Sequence, residues 1–109
     1  MTPGVAWDPA KRRGNLAKHG IDFVDAALVF EGLALHRPDL RRPYGESRFV
    51  AAGPVAGRLL VVVYTLRGAT IRIISARRAN ARETKAYRSV RLEGPAGPDG
   101  LGPGGSADR

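Results

Sequence analysis

The residues that could do chemistry are concentrated between positions 70 and 88, where an apolar strand pattern ends in a cluster of arginines. Arg72 lies between isoleucines of the predicted strand, and Arg77, Arg78 and Arg82 follow within a short stretch. A guanidinium is a planar fork of donors that matches phosphate oxygens and keeps its charge at any relevant pH. The segment therefore predicts a site for a phosphate or another acidic group.

A second set of polar residues belongs to the two strands predicted before this segment. Glu46 stands at the entrance of one strand, Arg48 lies on the Val50 face of that strand, and Tyr64 belongs to the next one. Cleavage of RNA without a metal needs a base for the ribose 2′-hydroxyl, an acid for the leaving 5′-oxygen and cations for the charge at phosphorus. A cleft that gathers such groups would suit this reaction. The predicted catalytic residues are Glu46, Arg48, Tyr64, Arg72 and Arg77, and the predicted RNA-binding residues are Arg78, Arg82 and Lys85.

Each of these arginines could instead form a structural ion pair. The nearest acidic partners in the sequence are Glu46 for Arg48 and Glu83 for Arg82, and such surface pairs contribute little to stability. Tyr87, one helical turn after Glu83, could serve only to pack its helix. The functional interpretation is therefore favoured for the cluster and not for any single member.

The phase of the last strand decides which side chains share a face. Side chains of a regular strand alternate between the two faces of the sheet. Regular alternation places Arg72, Ile74 and Ala76 on one face and Ile71, Ile73 and Ser75 on the other.

The composition is that of a small basic domain. Among 109 residues, 18 Lys and Arg oppose 10 Asp and Glu, and 15 of the 18 are Arg. A solvated basic surface would explain this balance, but the excess of arginine favours an acidic partner such as nucleic acid or an acidic protein. The chain has no cysteine, which suits a reducing compartment, and no apolar window long enough for a bilayer or a signal peptide. We therefore expect a soluble, cytoplasmic protein.

The sequence offers little for a metal or a cofactor. It contains two histidines, His19 and His36, and they lack the spacing of paired metal ligands. The glycine patterns of nucleotide-binding loops do not occur. No metal and no cofactor are predicted.

Two helices are predicted before the strands. Asp8 is a good N-cap and Gly20 a good left-handed C-terminal cap for a first helix that ends near His19. A second helix begins after Asp22 and ends at Gly32.

The first predicted helix has a polar and basic surface. Asn15 belongs to this surface, and only Leu16 and Ala17 are obviously directed inward. The helix is therefore expected to lie on the outside of the molecule.

Three strands and a final helix complete the predicted fold. The strand candidates are joined by short glycine-containing connections, which require antiparallel hairpins. Asn80 and Glu83 have the spacing of a capping box at the start of the final helix. The candidates are 47–53, 58–66 and 70–76, with 33–36 as a short edge strand. The predicted fold class is α+β, with two N-terminal helices, a small antiparallel sheet of three to four strands and a short C-terminal helix.

The composition changes after Glu93. Residues 94–109 are rich in glycine and proline and contain one large apolar side chain, too few to offset the entropy of ordering. We predict a single domain over 1–93 and a disordered tail over 94–109.

Four segments, in this order and at this spacing, resemble the BrnT-type toxins of type II toxin-antitoxin systems. They are WDPAKRRGNLAKHGIDFVDAALVF, GESRF, GRLLVVVYTLRG and IRIISARRANARETKAY, and they lie between positions 7 and 87. The resemblance implies a RelE-like ribonuclease fold that cleaves RNA without a metal. It also implies a cognate antitoxin of the BrnA type, whose ribbon-helix-helix domain binds the operator DNA of its own operon. The motif positions on this chain are His19, Gly20, Glu46, Arg48, Tyr64, Thr65, Arg72, Ser75, Arg77, Glu83 and Tyr87.

Two other functions use the same arginines. A non-catalytic basic module would bind nucleic acid or an acidic protein, with strongly salt-dependent affinity for RNA that stays intact. A toxin that has lost its activity could persist as the partner of its antitoxin in autoregulation. The chain lacks a convincing helix-turn-helix, so contact with operator DNA is expected to come through the antitoxin.

Overall fold

The computed structural model describes residues 4–41 and 43–93. The chain divides into two compact units at the junction of Ala79 and Asn80. The tail predicted for 94–109 lies outside the described residues. In chain order the elements are β1 (Val5–Trp7), α1 (Pro9–His19), α2 (Phe23–Ala26), a 3-10 helix (Ala27–Glu31), β2 (Leu35–Pro38), β3 (Arg48–Val55), β4 (Arg58–Arg67), β5 (Thr70–Arg78) and α3 (Ala81–Glu93). Within these residues, no helix has the length and apolar character needed to cross a bilayer.

The first unit contains a five-stranded mixed sheet with the strand order β1-β5-β4-β3-β2. Strands β2 to β5 form an antiparallel meander, whereas β1 pairs in parallel with β5. The α+β class is confirmed, but the prediction of an antiparallel sheet of three to four strands is wrong. The missed strand is β1, which has 3 residues and is too short to show an alternating pattern.

Helix α1 has the predicted ends but not the predicted buried residues. The Asp8 side chain accepts a hydrogen bond at its N-terminus, and Gly20 adopts φ 71° at its C-terminus. The inward orientation predicted for Leu16 is wrong, because this side chain is 46% exposed whereas Asn15 is 7% exposed. The buried side of α1 meets a strand edge whose backbone polar groups need partners, and an amide provides them.

The second predicted helix is divided in two. Asp22 caps it as predicted, but the α-helix ends at Ala26 and a 3-10 helix continues to Glu31. The 3-10 segment packs closely on β3, where a Cβ atom at Gly53 would lie 3.2 Å from Cγ1 of Val29. Val29 is a β-branched residue with weak α-helix propensity, and the narrower 3-10 turn suits this close approach.

One face of the sheet, which we call the helix face, forms the core with the N-terminal helices. The side chains of this core are more than nine-tenths buried and almost all are apolar. The helices contribute Phe23, Ala26 and Val29, Ile21 comes from the connection between α1 and α2, and the strands contribute Ala51, Val55, Leu60, Val62, Tyr64, Ile71, Ile73 and Ala76.

A β-bulge interrupts the pairing of β4 with β5. Tyr64 is opposite Ile73, but Val63 is opposite Ser75, so Ile74 is an extra residue in β5. Every residue of β5 after the bulge therefore lies on the face opposite to the one that regular alternation predicts.

The second unit contains α3 with the predicted capping box. Oδ1 of Asn80 accepts from the backbone N–H of Glu83 at 2.8 Å, and Oε1 of Glu83 accepts from the backbone N–H of Asn80 at 2.9 Å. The two residues thus satisfy each other's backbone donors at the start of the helix.

Candidate active site

The face of the sheet opposite the helix face carries a row of arginines, and we call it the arginine face. Arg48 of β3 is directly opposite Thr65 of β4, and Thr65 is directly opposite Arg72 of β5. Directly opposed residues project to the same face. Two strand spacings separate the Cα atoms of Arg48 and Arg72 by about 10 Å, so their long side chains can reach a common anion.

Arg77 joins this face because of the bulge. It is opposite Val61, and Ser75 is opposite Val63, so both lie on the side of Arg72. The predicted placement of Ser75 on the other face is therefore wrong, as is the placement of Ala76 with Arg72, because both assumed regular alternation through Ile74. Four residue steps along β4 separate the rows of Arg72 and Arg77, which is about 13 Å.

The side chains of Arg72 and Arg77 are both half-buried, but their hydrogen-bond and ion-pair partners differ. Arg77 donates from Nη1 to the backbone carbonyl of Arg78 at 3.3 Å. No carboxylate of residues 4–41 and 43–93 forms an ion pair with Arg72, so its charge remains available to a ligand.

Arg48 lies between an acid and an aromatic ring. Its Nε donates to Oε2 of Glu46 at 3.4 Å, and its guanidinium carbon lies 4.1 Å from the ring centroid of Tyr44. Glu46 also lies 3.8 Å from Nη2 of Arg67. The structural ion pair considered for Arg48 and Glu46 is thus present, and it holds the carboxylate at the edge of the arginine face.

A buried carboxylate organises the loop before β3. Asp39 accepts two hydrogen bonds from the Arg41 guanidinium, both at 2.8 Å, one from the Arg41 backbone N–H at 3.3 Å and one from the Tyr44 hydroxyl at 3.1 Å. The Arg41 guanidinium holds the pKa of Asp39 well below its usual value, against the effect of burial. Tyr44 is thereby fixed beside Arg48, at an open depression of about 770 Å³ that residues 38–41 and 43–49 line.

Tyr64 does not belong to the arginine face. Its side chain is 7% exposed on the helix face, and its hydroxyl is 2.9 Å from Nδ1 of His36. Its ring packs against those of Phe30 and Phe49. Burial raises the pKa of Tyr64. The prediction of a cleft that holds Tyr64 together with Arg48 is wrong, because neighbouring strands place the two side chains on opposite faces.

The residues predicted to bind RNA lie at exposed positions. Arg78 ends β5 opposite Leu60, and Arg82 and Lys85 lie on the first turns of α3. All three side chains are exposed. Contact of these residues with RNA stays a prediction, as do the roles of the other motif residues.

Two residues near this site carried no clear signal in the sequence. Arg37 of β2 is opposite Val50 and so belongs to the arginine face, although it lies just outside the edge strand predicted for 33–36. Asn15 is buried against β5, where it bonds the backbone of Ala76, the residue before Arg77. An asparagine within a basic helix gives no sign that it is buried, so only the structure identifies it.

The sheet and its arginine face define an α+β domain with a surface suited to the phosphates of a nucleic acid. The family model of the ribonuclease toxin BrnT of type II toxin-antitoxin systems matches residues 7–83. The chain therefore belongs to the BrnT family of ribonuclease toxins. A comparison with curated proteins gives no match.

Proposed function

We propose that this chain is a metal-independent endoribonuclease whose arginine face holds the scissile phosphate of RNA. The observation that carries the proposal is the placement of Arg48, Arg72 and Arg77 on one face of the sheet, in a chain of the ribonuclease toxin family. Arg72 and Arg77 bind the phosphate, and Arg48 assists from the row of Arg72, across Thr65. In line with its family, we also assign the domain a RelE-like fold and a cytoplasmic site of action.

Glu46 is the proposed proton acceptor. It is the only carboxylate among the predicted catalytic residues, and it lies beside Arg48 at the edge of the arginine face. In the reaction the ribose 2′-oxygen bonds to phosphorus, Glu46 takes its proton, and the bond to the 5′-oxygen breaks. The leaving oxygen takes a proton from water, so the products end in a 2′,3′-cyclic phosphate and a 5′-hydroxyl. The arginines stabilise the charge that builds on the phosphorane.

The depression beside Tyr44 and Arg48 is the proposed binding site for a nucleotide of the RNA. Its volume of about 770 Å³ gives room for a nucleotide next to the scissile phosphate. The guanidinium of Arg48 already lies over the ring of Tyr44, an arrangement on which a base can stack.

The partner proposed for this toxin is a BrnA-like antitoxin with a ribbon-helix-helix domain. A protein that places acidic or apolar residues over the arginine face would block access of RNA and relieve the repulsion among the arginines. Operator DNA would then be bound through the antitoxin.

The test is incubation of the purified protein with end-labelled RNA, with and without a chelator, followed by gel electrophoresis. We expect cleavage that resists the chelator and a loss on the order of 100-fold in Arg72→Ala, since this variant loses one cation at the transition state. Arg13→Ala is the matched control, because Arg13 is an exposed arginine of α1, and it should cleave like the wild type.

Two results would contradict the proposal. Cleavage that stops with the chelator would remove the metal-independent mechanism. Retardation of intact RNA, weakened by salt and by Arg72→Ala, would favour the non-catalytic binding module, because neutralised phosphates release counterions.

A further inference from the structure

The side chain of Asn15 continues the sheet at the point where β1 ends. Its Nδ2 donates to the carbonyl of Ala76 at 2.8 Å, and its Oδ1 accepts from the backbone N–H of Ala76 at 3.0 Å. The other Nδ2 hydrogen donates to the carbonyl of Ile21 at 2.9 Å. The amide is thus paired with Ala76 by two bonds, as a strand residue would be. Strand β1 itself pairs with β5 only as far as Ile73.

These bonds are specific to one phase of β5. The backbone N–H of Ile71 points towards β1 and donates to Gly4 at 2.8 Å. In a regular strand the backbone N–H and C=O groups of residues 73, 75 and 77 would point to the same edge, since the backbone groups of successive residues alternate between the two edges. Asn15 instead binds Ala76. The backbone of Ala76 points to this edge only because the bulge at Ile74 shifts the register of β5 by one residue.

We propose that Asn15 is a positioning residue that holds the bulged register of β5 and thereby keeps Arg77 on the arginine face. Without the bulge, Ala76 would turn to the arginine face and Arg77 to the helix face. A bulge disrupts the ladder locally, so the shifted phase needs a compensating contact. The buried amide of Asn15 supplies it. The link to activity rests on the ribonuclease function proposed above.

The effect on activity is coupled to Arg77. Asn15→Ala should lower kcat/KM for RNA on the order of 100-fold, as the loss of one cation at the transition state does. In an Arg77→Ala background the same change should cost little more, because the residue that it misplaces is already absent. Additive losses in the two variants would contradict a positioning role.

The register itself can be measured without RNA. The chain has no cysteine, so pairs of introduced cysteines report which residues face each other. Val61→Cys with Arg77→Cys matches the observed register, in which the two positions are opposite. Val61→Cys with Ala76→Cys matches the regular register and should remain reduced in the otherwise unchanged chain, because those side chains lie on opposite faces.

Disulfide formation in the two pairs, followed by mass spectrometry, is the deciding experiment. We expect Asn15→Ala to reduce cross-linking of the 61–77 pair and to introduce it in the 61–76 pair. Arg12→Ala, on the same helix, breaks the pair with Asp22 and should leave both patterns unchanged. An Asn15→Ala protein that still cross-links only the 61–77 pair would overturn the proposal.

Deletion of Ile74 keeps the proposal testable if Asn15→Ala does not fold. The deletion removes the extra residue, so a regular strand then places Arg77 on the arginine face without help. Asn15→Ala combined with the deletion should therefore fold and cross-link the 61–77 pair, and failure to do so would overturn the proposal. Because this readout involves no RNA, a protein that never cleaves RNA would refute the proposed function and leave the register result standing.

Discussion

The guanidinium groups of this protein differ in how firmly each is held. Arg12 binds Asp22 through two bonds of 2.8 and 3.0 Å, and the Arg12 guanidinium, together with the backbone N–H of Val24, lowers the pKa of Asp22 to about 2. Arg48 makes one hydrogen bond of 3.4 Å to the partly exposed carboxylate of Glu46, beside its contact with the Tyr44 ring. Such an exposed pair is worth about 0–1 kcal/mol, so a phosphate can compete for Arg48 but not readily for Arg12.

Replacement of Tyr64 by phenylalanine tests whether the tyrosine hydroxyl stabilises the helix face or takes part in the reaction. In Tyr64→Phe the ring stays and only the hydroxyl bonded to His36 is lost. We expect the free energy of unfolding to fall by about 1 kcal/mol, the usual net value of a hydrogen bond. The rate of RNA cleavage should stay near the wild-type value, because Tyr64 lies on the helix face.

Urea denaturation and single-turnover cleavage of the same Tyr64→Phe preparation measure the two quantities. A folded Tyr64→Phe protein that does not cleave RNA would show that the hydroxyl takes part in the reaction, which contradicts the placement of Tyr64 on the helix face.

The hairpin between β3 and β4 contains the strained backbone of the sheet. Its two connecting residues, Ala56 and Gly57, have φ angles of 51° and 81°. Two-residue hairpin turns with positive φ at both central positions favour asparagine followed by glycine. Alanine pays a steric cost in this region that asparagine partly avoids.

Ala56→Asn should therefore stabilise the protein by about 0.5–1 kcal/mol. The midpoint of urea unfolding measures the change. Ala17→Asn provides the control, because it places the same residue at an exposed position of α1, where asparagine is a poor helix former and should lower the midpoint. An unchanged or lower midpoint for Ala56→Asn would contradict the predicted relief of strain.

Most elements of the fold are encoded locally, and this is why the sequence predicted them. The caps at Asp8, Asp22 and Asn80 and the glycine-containing turns act within a few residues, so their signals are visible in a short window. The shifted register of β5 after Ile74 is held by the Asn15 amide, which binds Ala76 at a separation of 61 positions. Regular alternation could not reveal it.

The whole molecule concentrates charge where the proposed chemistry takes place. The net charge of +8 comes almost entirely from arginine, and the register gathers several of these residues on one face of the sheet. A surface of one sign raises the local concentration of an anionic polymer and speeds its association. Under the proposed function, the same charge would attract an acidic segment of the antitoxin.

The candidate site was predictable in its residue types but not in its geometry. The residue types identified Arg48, Arg72 and Arg77 as candidate cations, whereas the common face of Arg72 and Arg77 follows from the bulge, which regular alternation does not predict. Tyr64 was assigned wrongly because alternation within one strand does not tell which face meets the face of a neighbour. That relation depends on register across strands, which a single sequence does not contain.

The most direct test of the arginine face is to observe the guanidinium groups while a nucleic acid binds. A 2′-deoxy oligonucleotide lacks the attacking hydroxyl and cannot be cleaved, so its complex can be titrated by NMR of arginine Nε–H signals. The signals of Arg48, Arg72 and Arg77 should shift together with one dissociation constant, and the signal of Arg12, which is held by Asp22, should stay in place. Saturation of binding with the first three signals unmoved would contradict the account.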